Sequence, residues 1–512
     1  MPSPVPNEPA SPAVYVAVPN DDSRVSSGSM YGATGVSAAV PDVAKQDIRA
    51  SVAALRESFA SGATRSPAHP SESGGMDMML TRGELQEHID YFEDWTKPEL
   101  CQSNILNQPG LSYVVREPLG VVCIIGTWNY PIQLLLVPLI SAIAAGNCAL
   151  LRLPGEDTVP HTVNAFITLL DKYMDKRYVR YVYGGVPETK AMLTERFDLI
   201  FATGGSFLGK IVARAAAEHL TPTVLELGGK SPAIVDASAD LDLTARRLAW
   251  GAFVNSGQTC VRPDYVLVDE RVGDQLVAKL KAAVATMYGE DAKTSESYAR
   301  VVNTRMYERL HALLDKDRAF VAFGGESDAK ERYIAPTVLN FKTDLAAFES
   351  AASMQDEIFG PLLPMYYYSA NDLNVPIRFA TTREKPLALY HFSRNGKNKQ
   401  RVVSETSAGS MMVNDCMMQL SNGHVPFGGV GNSGSGAYHG RAGVEAFSHH
   451  KTVIYKNALL DLPVRYPPYT PTKSKLLRML QFPFTRLHMR LFKALPVVVL
   501  IAIVAVIIKA SV

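Results

Sequence analysis

One cysteine stands in a turn-forming segment where a thiol can act as a nucleophile. Cys260 ends the tetrapeptide Gly-Gln-Thr-Cys, directly after Asn255 and Ser256. A thiolate can attack a carbonyl carbon without the help of a metal ion. A lone cysteine is more often an inert, small apolar residue, so Cys260 alone decides nothing. The question is which polar groups the fold brings beside it.

Two further polar residues stand at the ends of predicted strands. Glu226 ends an apolar run and is followed closely by Gly228 and Gly229. Asn129 lies in the segment Thr-Trp-Asn-Tyr-Pro, between a predicted strand and a predicted helix. The glutamate is a candidate base. The asparagine is a candidate site residue or, equally, a helix cap. Parallel sheets collect ligands at the carboxyl ends of their strands, so we expect both residues at one edge.

Two glycine-rich segments resemble phosphate-binding turns. Residues 203–209 (TGGSFLG) form a strand-to-helix turn whose backbone N–H groups suit a pyrophosphate. Residues 429–434 (GVGNSG) match the G-x-G-x-x-G pattern, but they follow no strand of a βαβ unit. We predict an irregular loop there and not a dinucleotide turn.

The elements that must position these residues alternate between strand and helix. Apolar, β-branched runs predict strands at residues 120–125, 149–151, 178–183, 199–201 and 223–225. Helical periodicity separates them at residues 132–145 and 161–173. Strands joined by helices of this length form right-handed βαβ units on a mostly parallel sheet, so the fold class is α/β. A second region of the same kind runs from residue 225 to about residue 411.

Composition excludes several classes of protein. The chain has 512 residues, with 51 Lys+Arg against 50 Asp+Glu and a formal net charge of +1. This balance gives no reason to expect a nucleic-acid partner, and the length predicts more than one domain. The five cysteines are widely spread, without metal-ligand spacing, so we predict reduced thiols and no metal site.

The two ends differ from this body. Residues 1–42 are rich in Pro, Ser, Val and Gly without a sustained period, and they predict a disordered tail. Residues 466–493 predict a basic amphipathic segment, and residues 494–512 a membrane anchor. The apolar run 494–508 covers about 22 Å as a helix, less than the roughly 30 Å of a hydrocarbon core. A buried core element is the alternative, but the flanking Lys493 and Lys509 favour the anchor.

Taken in series, the motifs resemble one family. The order TWNYP, TGGSFLG, ELGGKSP, GQTC, EIFGP and PFGGVGNSG is similar to that of the aldehyde dehydrogenase superfamily, and longer blocks resemble its fatty-aldehyde, class 3-like branch. The resemblance covers residues 43–469. It implies a Rossmann-type NAD-binding domain (43–225), a catalytic domain (226–410), and a return to the cofactor domain with an oligomerisation arm (411–465). It also implies a homodimer.

The resemblance assigns three catalytic roles. Cys260 is the nucleophile that attacks the aldehyde carbon. The Asn129 amide and the Cys260 backbone N–H hold the oxyanion, which gives the asparagine a role other than capping. Glu226 activates the water that hydrolyses the thioester, a task that calls for a raised pKa.

The resemblance also assigns a cofactor and its contacts. The cofactor is NAD, with NADP as a possibility. The residues implied at the pyrophosphate are Gly204, Gly205, Ser206 and Gly209. Those implied at the nicotinamide ribose and ring are Glu357 and Phe359, and Tyr130 and Phe427 are the expected substrate contacts.

Two departures from the family pattern stand out. Where the family has K-P-S-E, this chain reads LRLPGED, so Arg152 is expected near the adenosine ribose and Glu156 at its 2′-hydroxyl, favouring NAD. Between Arg65 and Leu80 the chain lacks a few dozen residues of helix that the family has. Either the protein is truly shorter there or the gene sequence is faulty.

The predicted function is oxidation of long-chain aliphatic aldehydes to carboxylic acids. Apocarotenoid or other isoprenoid aldehydes are the alternative substrates, because sequence does not fix the shape of a substrate tunnel. A CoA-acylating reductase and a catalytically silent membrane scaffold are the alternatives of other classes. We expect the body on the cytosolic side of the mitochondrial outer membrane or the endoplasmic reticulum.

Overall fold

A computed structural model describes residues 76–103, 107, 110–155, 158–456, 461 and 463–480. The described residues fall into two units, one from Met76 to Thr96 with Arg116–His449, and one from Lys97–Val115 with the residues after His449. The predicted disordered tail, the predicted anchor 494–512, and Glu156 lie outside the described residues. Most of the 65–80 departure lies there too.

The helices and strands follow in chain order. The helices are α1 Met76–Thr96, α2 Gln133–Ala144, α3 Pro160–Tyr173, α4 Val186–Met192, α5 Ser206–Ala217, α6 Leu241–Phe253, α7 Gly273–Tyr288, α8 Thr304–Lys316, α9 Leu345–Ser350, α10 Asn374–Thr381, α11 Gly396–Glu405, α12 Gly440–Ala446 and α13 Pro471–Leu480. The strands are β1 Glu99–Cys101, β2 Gly110–Pro118, β3 Val121–Ile125, β4 Cys148–Arg152, β5 Val179–Val182, β6 Leu199–Gly204, β7 Thr223–Leu227, β8 Pro232–Val235, β9 Tyr265–Asp269, β10 Val321–Phe323, β11 Ser327–Asp328, β12 Tyr333–Ile334, β13 Thr337–Asn340, β14 Leu362–Tyr368, β15 Ala388–Phe392, β16 Ser410–Val413, β17 Gly434–Ser435 and β18 Ser448–Lys456.

A six-stranded sheet contains the five strands predicted from the apolar runs. Its order is β17-β7-β6-β3-β4-β5, and all neighbours are parallel except β17, which runs antiparallel to β7. Every residue of β3 is buried, as the uninterrupted apolar run predicted for a strand covered on both faces. The predicted strands, and the helices α2 and α3 between them, are confirmed.

A seven-stranded sheet forms the second βα-rich region. Its order is β10-β13-β14-β9-β8-β15-β16, parallel except for the edge strand β10. Along the chain, strand β9 comes after the Cys260 segment, and strand β14 comes directly after the EIFGP segment. The α/β fold class is therefore confirmed, while the predicted domain boundaries stay a prediction.

The glycine-rich segment at 429–434 is more ordered than we predicted. It forms a short 3-10 turn at Gly431–Ser433 and then strand β17. Gly434 pairs with Glu226 and Ser435 with Leu225. The prediction of an irregular loop was wrong for these two residues, because a two-residue glycine-rich strand has no hydrophobic pattern to reveal it.

The second unit holds a small sheet and a basic helix. Strands β1, β2 and β18 form a three-stranded sheet in that order, in which β1 and β2 are antiparallel. Strand β2 ends in the first unit, and strand β18 begins there. Helix α13 carries Lys473, Lys475 and Arg478. Within the part of the chain that the structure describes, no helix combines the length and the apolarity needed to cross a bilayer.

Candidate active site

The Cys260 segment is an irregular turn held by side chains. It follows helix α6 through a 3-10 turn, in which Asn255 and Ser256 both have φ near +53°. Gln258 ties the turn to its surroundings: its amide donates to the Arg300 carbonyl (3.0 Å), and its side-chain oxygen accepts from Val302 N–H (2.9 Å). Left-handed backbone at non-glycine residues is unfavourable and occurs often at functional sites. The turn leaves Cys260 partly buried.

Gly257 shows how tightly this turn is packed. Its φ is +70°, and a Cβ built on it would lie 2.3 Å from the carbonyl oxygen of Gly360. Only glycine fits such a position. The GQTC segment and the EIFGP segment are therefore in direct backbone contact.

Asn129 lies beside the cysteine turn. Its side-chain amide donates to the Gln258 carbonyl (3.2 Å), and its own carbonyl accepts from the Asn255 side chain (3.0 Å). The residue is 9% exposed. This places the Asn129 amide in contact with Gln258, two residues before Cys260, as a predicted oxyanion-stabilising group requires.

Asn129 does not cap the following helix. The N–H groups of Ile132 and Gln133 at the start of α2 donate to the Asp77 carboxylate, at 3.0 and 2.7 Å. Asp77 lies on α1, more than fifty residues earlier, and no local pattern points to it. The capping interpretation of Asn129 was wrong because a distant carboxylate satisfies those donors.

Glu226 is a buried carboxylic acid on a regular strand. It is 3% exposed, and neither carboxyl oxygen has a hydrogen-bond partner. Burial raises its pKa well above the ordinary value of 4.5. A buried, unpartnered carboxyl group has its acceptor sites available for a water or a substrate.

Glu226 and Glu357 both lie within electrostatic reach of Cys260. Burial, followed by the charges of Glu357 and Glu226, raises the pKa of Cys260 to about 12. Burial also raises the pKa of Glu357 to about 8. Tyr438 is within reach of both Glu226 and Cys260, whose charges add to the effect of burial in raising its pKa. The predicted nucleophile and the predicted base thus lie within reach of each other's charge, and burial disfavours the ionised form of both.

Glu357 approaches the glycines that follow Glu226. A Cβ on Gly228 would lie 2.3 Å from the Glu357 Oε2, so a side chain at 228 would collide with the carboxylate. Oxygen Oε1 of Glu357 is buried without a hydrogen-bond partner. Phe359 packs edge-to-face on Trp128, with ring centroids 5.5 Å apart. A buried acceptor beside two aromatic rings fits a ribose hydroxyl and a nicotinamide.

The glycine-rich turn at 203–209 joins β6 to α5. Gly204 ends the strand, Gly205 is the N-cap, and Ser206 is the first helical residue. A Cβ on Gly205 would meet nothing within 4 Å, so the N-terminus of α5 faces open space. Gly209 packs against Leu227 in the strand that carries Glu226. The first-turn N–H groups of a twelve-residue helix in this setting fit a pyrophosphate.

Arg152, at the end of β4, binds neighbouring backbone. Its guanidinium donates to the Gly184 carbonyl (2.7 Å) and the Thr189 hydroxyl (3.0 Å), and also contacts the Leu153 carbonyl. These bonds join β4 to the segment that starts α4. A contact of Arg152 with an adenosine ribose stays a prediction.

The two predicted substrate residues neighbour different segments of the fold, and their contact with a substrate stays a prediction. The Tyr130 hydroxyl lies 2.9 Å from the hydroxyl of Thr259, the residue before Cys260. Burial raises the pKa of Tyr130 to about 12. Phe427 is 4% exposed and pairs with Tyr438 through two backbone hydrogen bonds of 2.9 and 2.8 Å. Tyr438 in turn is within electrostatic reach of Glu226 and Cys260.

Comparisons with known proteins give the chain its family. The sequence profile of the Aldehyde dehydrogenase family matches residues 38–453. The chain is 46% identical to the dimeric NADP-preferring aldehyde dehydrogenase of Rattus norvegicus, over 76% of this chain and 84% of that protein. It is 44% identical to aldehyde dehydrogenase family 3 member A2 of Mus musculus, over 85% and 87%.

Solved structures agree. A substrate-bound AldH of Staphylococcus aureus is 37% identical, with a TM-score of 0.75, covering 86% of this chain and 94% of that chain. An aldehyde dehydrogenase of Mycobacterium tuberculosis in complex with NAD+ is 25% identical, with a TM-score of 0.67, covering 81% and 92%. The predicted enzyme class, its class 3 branch and its NAD(P) cofactor are confirmed. The chain belongs to the aldehyde dehydrogenase family and is an NAD(P)-dependent oxidoreductase.

Proposed function

We propose that this enzyme oxidises long-chain aliphatic aldehydes to carboxylic acids through a thiohemiacetal and a thioester on Cys260. The observation that supports the proposal is the proximity of the partly buried Cys260 and the buried Glu226, within reach of each other's charge, with the Asn129 amide bound to the cysteine turn. A thiol, a buried acid and an amide donor are the groups that this two-stage chemistry needs.

In the first stage the Cys260 thiol loses its proton to solvent, and the resulting thiolate sulfur forms a bond to the aldehyde carbon. Negative charge develops on the carbonyl oxygen, where the Asn129 amide and the Cys260 backbone N–H stabilise it. When bound, NAD(P) accepts the hydride that leaves this carbon, and the product on the enzyme is a thioester. Glu357 and Phe359 hold the nicotinamide end in this scheme, and Gly204, Gly205, Ser206 and Gly209 surround the pyrophosphate.

The second stage cleaves the thioester. Glu226 takes a proton from a water molecule, whose oxygen then attacks the acyl carbon, and the Cys260 thiolate leaves. The carboxylic acid departs with the oxygen of that water. Since burial raises the pKa values of both Cys260 and Glu226, we expect turnover to increase as the pH rises above neutrality.

The second unit supports a site of action at a membrane. Helix α13 has basic residues and no acidic one, and it exposes Leu476 (41%) and Met479 (65%), three residues apart and therefore on one side of the helix. Such a helix binds to an anionic lipid surface. With residues 494–512 as a C-terminal anchor, the enzyme would meet aldehydes that partition into lipid, at the mitochondrial outer membrane or the endoplasmic reticulum.

The small sheet of the second unit supports a homodimer. It exposes Leu100 (73%), Leu111 (59%), Ile454 (47%) and Tyr455 (63%). Clustered exposed apolar residues on a short sheet are typical of an association surface. The rat relative is described as dimeric.

A chain-length series on the purified protein tests the substrate class. The rate of NADH formation is measured for straight-chain aldehydes of four to eighteen carbons and for one apocarotenal. We expect kcat/KM to increase with chain length, since each buried methylene contributes about 0.8 kcal/mol. A preference for short aldehydes contradicts the proposal, and a preference for the apocarotenal replaces it with the isoprenoid alternative.

A further inference from the structure

The loop that carries Glu357 and Phe359 has an unfavourable backbone conformation. It lies between the 3-10 turn Ala352–Met354 and strand β14. Phe359 has φ of +52°, in the left-handed region. A bulky residue stays in such a conformation only where its surroundings hold it there. The contacts that hold this loop therefore determine where its two side chains lie.

Lys230 binds the first half of the loop. Its ammonium group lies 2.5 Å from the Asp264 Oδ2 and donates to the carbonyls of Ser353 (2.8 Å) and Asp356 (3.0 Å). The Lys230 side chain is 14% exposed. All three of its donors are thus used on one carboxylate and two loop carbonyls.

Asp264 and Arg262 bind the second half. The Asp264 Oδ1 accepts from the Ile358 N–H (3.1 Å) and from the Arg262 guanidinium (3.1 Å). Arg262 also donates to the Leu362 carbonyl at the start of β14 (2.7 Å). Both side chains are 1% exposed. The loop is therefore bonded on both sides of Phe359 to one buried cluster of three charges.

The cluster joins the segments that carry the reacting groups. Lys230 lies four residues after Glu226, and Arg262 lies two residues after Cys260. Glu357 itself approaches Gly228, two residues before Lys230. A displacement of the loop relative to the ELGGK segment would move the Glu357 carboxylate and the Phe359 ring together.

We propose that Lys230 is a positioning residue that acts through the Glu357–Phe359 loop, with Asp264 and Arg262, to set the enzyme's affinity for the nicotinamide cofactor. The inference rests on the proposed function, in which that loop contacts the cofactor. It assigns Lys230 no part in the bond changes at Cys260. Loss of the lysine should weaken cofactor binding and leave cofactor-independent chemistry of the cysteine intact.

Three substitutions test this role. Lys230→Met removes the positive charge and the hydrogen-bond donors. Lys230→Gln removes the charge but keeps amide donors for the loop carbonyls. Lys230→Arg keeps the charge and the donors. Asp264 remains paired with Arg262 in each variant, so no buried carboxylate loses its only partner. Lys279→Met is the matched control, because Lys279 pairs with Asp242 at 2.5 Å on the surface, with side chains 36% and 79% exposed.

The readouts are the Kd of NAD+ from fluorescence titration without aldehyde, the KM of NAD+, and the hydrolysis rate of p-nitrophenyl acetate. Ester hydrolysis uses the Cys260 thiol without a cofactor. We expect K230M to raise Kd and KM by about tenfold or more, K230Q by less, and K230R and K279M by less than about twofold. Ester hydrolysis should stay within about twofold in all four variants, as expected where the site's own groups are untouched.

Unchanged NAD+ affinity in K230M, or a parallel fall in ester hydrolysis, overturns the inference. If K230M does not fold, the comparison of K230Q with K230R tests the inference by the same measurements. A Kd of NAD+ that is not higher in K230Q than in K230R then overturns it. A wild-type protein that binds NAD+ and hydrolyses the ester but oxidises no aldehyde contradicts the proposed function alone, because the Kd comparison needs no aldehyde.

Discussion

Glu226 and Cys260 lie within reach of each other's charge, but the two regions that carry them are built in opposite ways. Glu226 lies on β7, where regular pairing with β6 and β17 fixes the main chain, and its carboxyl oxygens make no hydrogen bond. Cys260 follows a turn with two left-handed residues, held by the side chains of Asn255 and Gln258. A sheet can present a side chain without help from neighbouring side chains, whereas an irregular turn depends on them.

The contrast has a chemical counterpart. The carboxyl group is not used to hold its own backbone, because the sheet satisfies that backbone, and once ionised it can accept a proton from water. The thiol is surrounded by residues that both shape its turn and supply the amide donor for the reacting oxygen. Substitutions around Cys260 should therefore affect bond formation, and substitution of Glu226 should affect only the step that needs a base.

The largest effect is expected for Cys260→Ala, which removes the nucleophile. Aldehyde-dependent NADH formation should fall by about 10⁴-fold or more, since no other thiol takes its place. Cys101→Ala is the matched control, because Cys101 is an exposed thiol in the second unit and should leave the rate unchanged. Steady-state assays on both variants check this, and substantial turnover by C260A rejects the assignment.

A smaller effect, and a different one in kind, is expected for Glu226→Gln. Turnover should fall by about 10²- to 10⁴-fold, because a general base is lost. The first turnover should still yield NADH, so rapid mixing should show a burst followed by a slow steady state. Glu218→Gln, at an exposed carboxylate after α5, should behave as wild type. If E226Q loses the NADH burst as well as the steady-state rate, Glu226 acts before the thioester forms.

Asn129→Ala should slow thioester formation by about 10²- to 10³-fold, the usual cost of losing one oxyanion donor. The burst rate measured by rapid mixing should fall, and unlike E226Q the variant should accumulate no acyl-enzyme. Asn164→Ala on the exposed side of α3 is the control. An effect on KM for the aldehyde alone would assign Asn129 to binding instead.

The smallest effect concerns the stability of the folded protein as a function of pH. The folded state holds Glu226 protonated at pH values where the unfolded chain has lost that proton, because burial raises its folded pKa. The folded state thus binds more protons, and this group's contribution to stability decreases as the pH rises above the ordinary carboxyl pKa. Glu226→Gln removes the effect. Its Tm should exceed that of wild type by a few degrees at about pH 9, with a smaller difference at about pH 5. An equal difference at both pH values contradicts the raised pKa.

Sequence predicted the strand-borne part of this site better than the turn-borne part. The strand ending at Glu226 and the helix after Asn129 follow from apolar runs and helical periodicity, which are local signals. The Asp77 carboxylate at the start of α2, and the cluster of Lys230, Arg262 and Asp264, join residues far apart in the chain. No spacing rule reveals such partners, because charged residues in turns are usually exposed.

The family resemblance brought Cys260, Asn129 and Glu226 to attention together, and the fold explains why they can meet. Each follows or ends a strand or helix whose carboxyl end points to the pocket. The residues that hold the EIFGP loop were not predicted, since their role depends on a left-handed phenylalanine that no sequence pattern specifies.

Strand β17 has a consequence for the order in which the chain acquires its shape. Gly434 on β17 lies opposite Glu226 on β7, so the outer side of β7 is unpaired until a segment some two hundred residues later arrives. At a synthesis rate of about 5–20 residues per second, the outer edge of β7 stays without β17 for tens of seconds. An emerging polypeptide can assemble the parallel strands early, yet it becomes a competent catalyst only after the glycine-rich segment has left the ribosome and docked.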